Sequence, residues 1–113
     1  MKIYHNPKCS KSRQTLAIIE GETSSFEIIE YLKNPLSEEE IIVLLSKLNI
    51  KPVELVRTQE TIWKENYKGK ELTKTEIINA MVENPKLIKR PIVVKNNKAI
   101  IGRPPENVLS LFA

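Results

Sequence analysis

The order strand, helix, strand at the start of the chain constrains the fold more than any other feature of the sequence. Residues 1–5 predict a short strand, and Ser10 or Ser12 can cap a helix that runs to about Glu20. Residues 26–32 predict a second strand. Because a helix connects them, we expect the two strands to pair in parallel through a right-handed crossover.

Two helix-start motifs predict a helical segment after these elements. Residues 37–40 and 73–76 are capping boxes, in which a hydroxyl and a carboxylate satisfy free backbone N–H groups. Apolar side chains recur at helical spacing after the boxes: Ile41, Leu44, Leu45 and Leu48, then Ile77, Ile78, Met81 and Val82. Pro52 suits the first turn of a short helix between them, while residues 58–69 fit either a loop or a helical turn.

A hairpin and a last helix complete the predicted fold. Residues 91–95 and 98–101 are apolar stretches separated by two asparagines, which tolerate positive φ, so they predict antiparallel strands. The helix after Pro105 offers three apolar side chains for packing, Val108, Leu109 and Phe112. The order βαβ, helical insertion, ββα predicts an α/β fold with a mixed four-stranded sheet of the thioredoxin and glutaredoxin type. We expect one domain over residues 1–113.

Length, charge and hydropathy exclude several classes of function. The 113 residues carry 18 basic side chains against 14 acidic ones, so the net charge of +4 suits small anions but falls short of a nucleic-acid-binding composition. No stretch approaches the roughly 20 apolar residues of a membrane span, and the N-terminus does not resemble a signal peptide. We therefore expect a cytoplasmic protein with no nucleic-acid or membrane partner.

The one cysteine, Cys9, is the strongest candidate for chemistry. It lies between the first strand and the first helix, where the helix N-terminus, Lys8, Arg13 and His5 can stabilise a thiolate. The alternative is a small side chain that fills a strand-to-helix junction, and for His5 a packing role is the simpler interpretation. A chain with a single cysteine has no internal disulfide and no cysteine-rich metal site. Any redox cycle must therefore take its second sulfur from another molecule.

Three arginines at junctions between elements are candidates for binding an oxyanion at the thiol: Arg57, Arg90 and Arg103. A planar guanidinium suits this task because it forms paired hydrogen bonds with a tetrahedral anion. The alternative for each arginine is a solvent-exposed residue that adds solubility. The Arg90-Pro91 step precedes an apolar strand and can adopt a cis peptide bond, although the sequence alone favours trans.

Four separated motifs cover nearly the whole chain and together identify a family. They are residues 3–7 with Cys9 and Ser12-Arg13, residues 55–57, residues 84–85 with 88–94, and residues 101–106. These motifs, in this order, resemble the small arsenate reductases that have a thioredoxin fold and are coupled to glutaredoxin.

The resemblance implies roles for the candidate residues. Cys9 would attack arsenate, and three arginines would hold it, Arg57, Arg90 and Arg103. Further residues would support the site: His5, Ser12, Arg13 and the cis proline Pro91. The resemblance also implies glutathione as co-substrate and glutaredoxin as protein partner, with no bound cofactor or metal ion.

Two other functions stay open on the sequence. Spx-like transcription regulators share the fold and bind RNA polymerase, but their redox-switch forms carry a second cysteine three positions after the first. This chain has Ser12 there, so an internal thiol switch is excluded, while a regulator or adaptor that binds RNA polymerase or another protein is not. A glutaredoxin-like oxidoreductase acting on glutathione mixed disulfides is also compatible with a single cysteine.

Overall fold

Four strands form one mixed sheet in the computed structural model, which describes residues 1–112. They lie in the order β2-β1-β3-β4, with bounds β1 Lys2–Tyr4, β2 Glu27–Ile29, β3 Ile92–Lys95 and β4 Lys98–Ile101. Strand β1 pairs in parallel with β2 and antiparallel with β3, and β3 pairs antiparallel with β4. The predicted α/β fold with a mixed four-stranded sheet is confirmed.

The described chain divides into a sheet unit and a helical unit. The sheet unit comprises residues 1–34 and the segment from Arg90 onward, and the helical unit comprises Pro35–Lys89. The expectation of one domain over residues 1–113 stays a prediction, and Ala113 lies outside the described residues. None of the helices within residues 1–112 is long and apolar enough to cross a lipid bilayer.

Helix α1 (Ser10–Glu22) connects β1 to β2, as the sequence predicted. Its N-cap is Cys9, so the prediction of Ser10 or Ser12 as the capping residue is wrong. Cys9 has extended backbone angles (φ −94°, ψ 123°), and its carbonyl accepts a hydrogen bond from the N–H of Arg13 at 3.0 Å. Ser12 lies inside the first helical turn and is fully buried. Its hydroxyl does not cap the helix, because it forms hydrogen bonds with His5 and Asn6.

Strand β2 is shorter than the predicted stretch of residues 26–32. After Ile29 the backbone turns, and the N–H groups of Lys33 and Asn34 both donate to the carbonyl of Glu30 at 3.0 Å. This turn takes Tyr31 out of the strand and buries its side chain, which is 1% exposed.

The core of the sheet unit joins the two central strands to α1 and the C-terminal helix. Its fully buried members are Ile3, Ile19, Val93 and Val108. Full burial of a side chain of this size contributes about 1.5–3 kcal/mol relative to leaving it exposed. This packing fixes α1, and with it the N-terminal end of that helix, against the sheet.

The C-terminal helix (Pro105–Phe112) is a 3₁₀ helix. Its buried side chains recur every three residues, at Pro105, Val108 and Leu111, because a 3₁₀ helix has three residues per turn. Leu109 is 44% exposed, so its predicted packing is wrong. Val108 and the partly buried Phe112 do contact the core, as expected.

Three α-helices form the helical unit: α2 (Glu38–Leu48), α3 (Thr61–Asn66) and α4 (Lys74–Glu83). Both predicted capping boxes are present, since the hydroxyls of Ser37 and Thr73 each accept the expected backbone N–H bond. Residues 58–69, which the sequence left undecided between a loop and a helical turn, contain α3. The predicted short helix at Pro52 is a 3₁₀ turn, Pro52–Leu55.

Candidate active site

The strand register brings four loops to one edge of the sheet. Tyr4 pairs with Ile29 of β2 and with Ile92 of β3, and Ile92 pairs with Ile101 of β4. The ends of β1, β2 and β4 and the start of β3 therefore lie side by side. The loops at this edge carry the candidate site residues of the sheet unit: Cys9, Tyr31, Arg90 and Arg103.

The loop from β1 to α1 holds Cys9 at the helix N-terminus. The N–H of Cys9 donates to the carbonyl of Asn6 at 3.0 Å, and the side-chain oxygen of Asn6 accepts from the N–H of Lys8 at 3.0 Å. The guanidinium of Arg13 donates to the carbonyl of Pro7 at 2.9 Å. Arg13 thus braces the loop, and Cys9 stays partly exposed at its end.

The surroundings of Cys9 favour its thiolate. Burial by itself raises the pKa of the thiol, but the N–H of Ser12, the guanidinium of Arg90 and the N–H of Lys11 outweigh it and hold the pKa below its ordinary value. Hydrogen bonding from the backbone N–H groups of Ser12 and Lys11 and from the Arg90 side chain lowers the pKa, and the positive charge of Arg90 adds to this effect. A thiolate at this position is a nucleophile.

His5 and Ser12 form a buried hydrogen-bonded pair behind the loop. The Nδ1 atom of His5 lies 2.6 Å from the hydroxyl of Ser12, which also accepts the N–H of Asn6 at 3.0 Å. Burial lowers the pKa of His5, Glu30 opposes this and Arg13 adds to it, so the imidazole is neutral at neutral pH. The cation beside the thiol is therefore Arg90, whereas the sequence had also pointed to a charged His5.

Arg90 and Arg103 lie together at the start of β3 and the end of β4. The guanidinium of Arg103 donates to the carbonyl of Arg90 at 3.3 Å. The peptide bond before Pro91 is cis, as the family resemblance implied, and the bond before Pro104 is also cis, which the sequence did not indicate. Two of the three predicted arginines thus share this edge of the sheet with Cys9.

Tyr31 is a residue at this edge that the sequence reasoning missed. Its hydroxyl is buried and makes no hydrogen bond of ordinary geometry within residues 1–112. Burial raises the pKa of Tyr31 to about 12, against the opposing effect of Arg90, and Cys9 raises it further. No sequence signal pointed to it, because the predicted second strand, residues 26–32, contains Tyr31.

Arg57 belongs to the helical unit, where the backbone around it is well held. Its N–H donates to the carbonyl of Leu87 at 2.7 Å, and the flanking residues Val56 and Ile88 form a bridge. Its Nε atom lies 3.8 Å from a carboxylate oxygen of Glu60, yet neither Nε nor Nη1 makes a hydrogen bond within the described residues. Buried donors of this kind normally have a partner, and an anion would supply one.

Nearly the whole chain matches a known protein family. A model of the ArsC family matches residues 4–111. The chain belongs to the ArsC family. Among residues 1–112, no group of three His, Cys, Asp or Glu side chains is placed to hold a metal ion.

Relatives of this ArsC-family chain span nearly its full length. An arsenate reductase of Haemophilus influenzae is 42% identical over 112 residues, which cover 97% of each chain. An uncharacterized protein of Escherichia coli, YfgD, is 46% identical over 98% of this chain and 95% of its own. The solved structure of an arsenate reductase from Vibrio cholerae is 46% identical, superposes with a TM-score of 0.92 and covers 97% of both chains.

The sheet edge gives this ArsC-family chain the parts for nucleophilic chemistry on an anion. A partly exposed thiolate lies at a helix N-terminus, where backbone N–H groups attract negative charge. The guanidinium of Arg90 is near the sulfur and can neutralise an incoming oxyanion. No second cysteine exists in the chain, so an intramolecular disulfide cannot form.

Proposed function

We propose that this ArsC-family protein reduces arsenate to arsenite with Cys9 as the nucleophile. The observation that carries the proposal is the partly exposed thiol of Cys9 at the N-terminus of α1, with the Arg90 guanidinium close enough to lower its pKa. Full-length relatives that are named arsenate reductases support the choice of substrate.

The first step of the proposed reaction is attack of the Cys9 thiolate on arsenic. A sulfur–arsenic bond forms, an arsenic–oxygen bond breaks, and the departing oxygen leaves as water after taking up a proton. Thiolate, hydrogen arsenate dianion and one proton thus give a Cys9-bound arsenic(V) dianion and water. Arg90 and Arg103 stabilise the bound dianion and the charge that develops on the departing oxygen.

Arg57 is the third arginine of the proposal. Its place rests on the motif of residues 55–57 and on its two buried guanidinium N–H donors, which lack hydrogen bonds within the described residues. A doubly charged oxyanion has enough acceptor oxygens for several guanidinium groups.

The second step requires an external thiol because the chain has one cysteine. We infer that glutathione supplies it: its thiolate attacks the Cys9 sulfur, and the sulfur–arsenic bond breaks with its electron pair on arsenic. The arsenic(III) product takes up protons from solvent and leaves as arsenite, and the two sulfurs, which have given up two electrons, remain as a Cys9–glutathione disulfide. A glutaredoxin thiolate then attacks the glutathione sulfur of this disulfide, takes the glutathionyl group as its own mixed disulfide and releases the Cys9 thiolate. This cycle suits the reducing cytoplasm.

An activity assay with arsenate, glutathione and glutaredoxin tests the function. Cys9→Ser is expected to lower the rate by more than about 10³-fold, since the hydroxyl cannot form the sulfur–arsenic bond. The matched control is Ser24→Ala, an exposed position away from the sheet edge, which is expected to retain full activity. Arsenate reduction at the wild-type rate by Cys9→Ser would refute the proposal.

A monothiol oxidoreductase is the second candidate, because a single thiol of lowered pKa is sufficient for exchange with a glutathione mixed disulfide. An assay with a small glutathionylated disulfide and no arsenate distinguishes a monothiol oxidoreductase from an arsenate reductase. Rapid deglutathionylation without any arsenate reduction would favour this candidate.

A further inference from the structure

Tyr31 is placed at the candidate site by the strand register. Strands β1 and β2 are parallel, and Tyr4 pairs with Ile29, so the segments that follow these two strands leave the sheet at the same edge. The N–H of His5 donates to the carbonyl of Ile29 at 2.8 Å, which joins the two segments directly. Tyr31 follows two residues after Ile29 and is therefore beside the loop that ends at Cys9.

The side chain of Tyr31 points inward, in contrast to its neighbours. The flanking side chains Glu30, Leu32 and Lys33 line a cleft of about 220 Å³ together with the loop of residues 5–8. Tyr31 does not line this cleft and is 1% exposed. Its hydroxyl lies near the Arg90 guanidinium and interacts electrostatically with Cys9.

Within residues 1–112, the phenol proton of Tyr31 has no hydrogen-bond acceptor. A guanidinium has N–H donors and no acceptor, so Arg90 can donate to the phenol oxygen but cannot take its proton. No hydrogen bond of ordinary geometry satisfies the hydroxyl within residues 1–112. A buried hydroxyl is normally paired, so an acceptor that arrives with a ligand completes this site.

We propose that the Tyr31 hydroxyl donates a hydrogen bond to an oxygen of the tetrahedral anion bound at Cys9 and Arg90. The inference rests on the proposed function and adds a substrate-binding residue to it. The phenol stays protonated at neutral pH, because burial disfavours the phenolate. A neutral donor beside a guanidinium suits an oxyanion, which offers only acceptors to both groups.

The test measures anion binding without turnover. Arsenate bound at the site is expected to protect Cys9 from alkylation by iodoacetamide, and the half-protecting concentration then reports its affinity. In Tyr31→Phe this concentration is expected to rise about tenfold, the loss of one hydrogen bond to a charged group. The thiol pKa of Cys9, followed by thiolate absorbance, is expected to stay unchanged. The matched control is Tyr67→Phe, which removes a tyrosine hydroxyl from the helical unit and leaves every residue of the sheet unit unchanged.

Each outcome decides the proposal. Equal protection of Cys9 in wild type and Tyr31→Phe would overturn it while leaving the proposed function intact. Absence of protection in wild type would overturn both the role of Tyr31 and arsenate as the substrate, since no anion would then be bound beside the hydroxyl. A raised Cys9 pKa in Tyr31→Phe, with arsenate protection unchanged, would also overturn it, since the hydroxyl would then stabilise the Cys9 thiolate and not the anion.

A second measurement needs no change at Tyr31. In protein labelled with ¹³C at the tyrosine ζ carbon, the resonance of Tyr31 is expected to shift when arsenate saturates the site. Tyr4→Phe and Tyr67→Phe identify the other two resonances by their loss, since the chain has three tyrosines. A Tyr31 resonance that does not respond to arsenate would contradict the proposal.

Discussion

The reactivity of Cys9 depends on which of its basic neighbours are close to the sulfur. Lys8 and Arg13 are near in sequence, but Arg13 is directed to the carbonyl of Pro7 and braces the loop. The guanidinium that lowers the pKa of the thiol belongs to Arg90, which is 81 positions away along the chain. The basic residue that acts on the thiol is therefore not one of those next to Cys9 in the sequence.

Arg90→Ala and Arg13→Ala are expected to separate these two roles. Loss of Arg90 should raise the pKa of Cys9 and lower kcat/KM for arsenate by roughly 10²-fold or more, because a cation that stabilises both thiolate and oxyanion is removed. Arg13→Ala should leave the thiol pKa near its wild-type value. Thiolate absorbance against pH, with steady-state kinetics, measures both. A larger pKa change in Arg13→Ala than in Arg90→Ala would contradict this assignment.

The sequence was sufficient to indicate Cys9 as the candidate nucleophile, but it did not indicate all of the groups around the thiol. Cys9 could be found because a lone cysteine before a helix is a strong local signal. Tyr31 could not, because its burial depends on a turn after β2 and on the pairing of β2 with β1, which are tertiary features. The N-cap was mispredicted for a related reason: Ser12 has a capping side chain, but His5 and Asn6 occupy its hydroxyl.

At the scale of elements, the end of β4 passes close to α1 at Gly102. A Cβ atom at Gly102 would lie 2.6 Å from the hydroxyl oxygen of Thr15 and 2.9 Å from the ring of Pro91. Thr15 cannot easily move, because its hydroxyl donates to the carbonyl of Lys11 at 2.9 Å inside α1. Glycine at this position therefore allows β4, α1 and the start of β3 to meet.

Gly102→Ala is expected to destabilise the protein by roughly 1–3 kcal/mol, because the added methyl group overpacks this junction. It should also weaken arsenate protection of Cys9, since Arg103 is the next residue. Gly21→Ala is the matched control: nothing lies within 4 Å of its Cβ position in α1, so the change should be neutral or stabilise by up to about 1 kcal/mol. Urea denaturation measures both variants, and equal stability of the two would refute the packing explanation.

Helices and turns whose boundaries are set by neighbouring side chains were predicted correctly from the sequence. The capping boxes at Ser37 and Thr73 set the starts of α2 and α4 because the required hydroxyl and carboxylate are in the sequence. The hairpin was equally clear, and Asn96 adopts the expected positive φ of 56°. The C-terminal helix was harder, since its apolar residues fit both α and 3₁₀ spacing and only packing against the core selects the latter.

At the scale of the whole molecule, stability is expected to depend on pH through the buried His5. Its folded-state pKa is lowered, mainly by burial, so the unfolded chain binds a proton more readily than the folded protein. The contribution of His5 to the stability of the folded protein is complete above the ordinary histidine pKa of 6.5. It is lost as the pH falls from there through the lower folded-state pKa. The free energy of unfolding should therefore fall as the pH is lowered from neutral through the folded-state pKa of His5.

His5→Asn is expected to reduce this pH dependence, because asparagine can bond to Ser12 but does not titrate. The lowered pKa of Cys9 also makes stability rise with pH, so the comparison belongs in a Cys9→Ser background for both proteins. The measurement is the free energy of unfolding in urea across this pH range. His5→Asn should be less stable than its parent at neutral pH, with the difference narrowing as pH falls. Parallel pH profiles for the two proteins would show that His5 is not the titrating group.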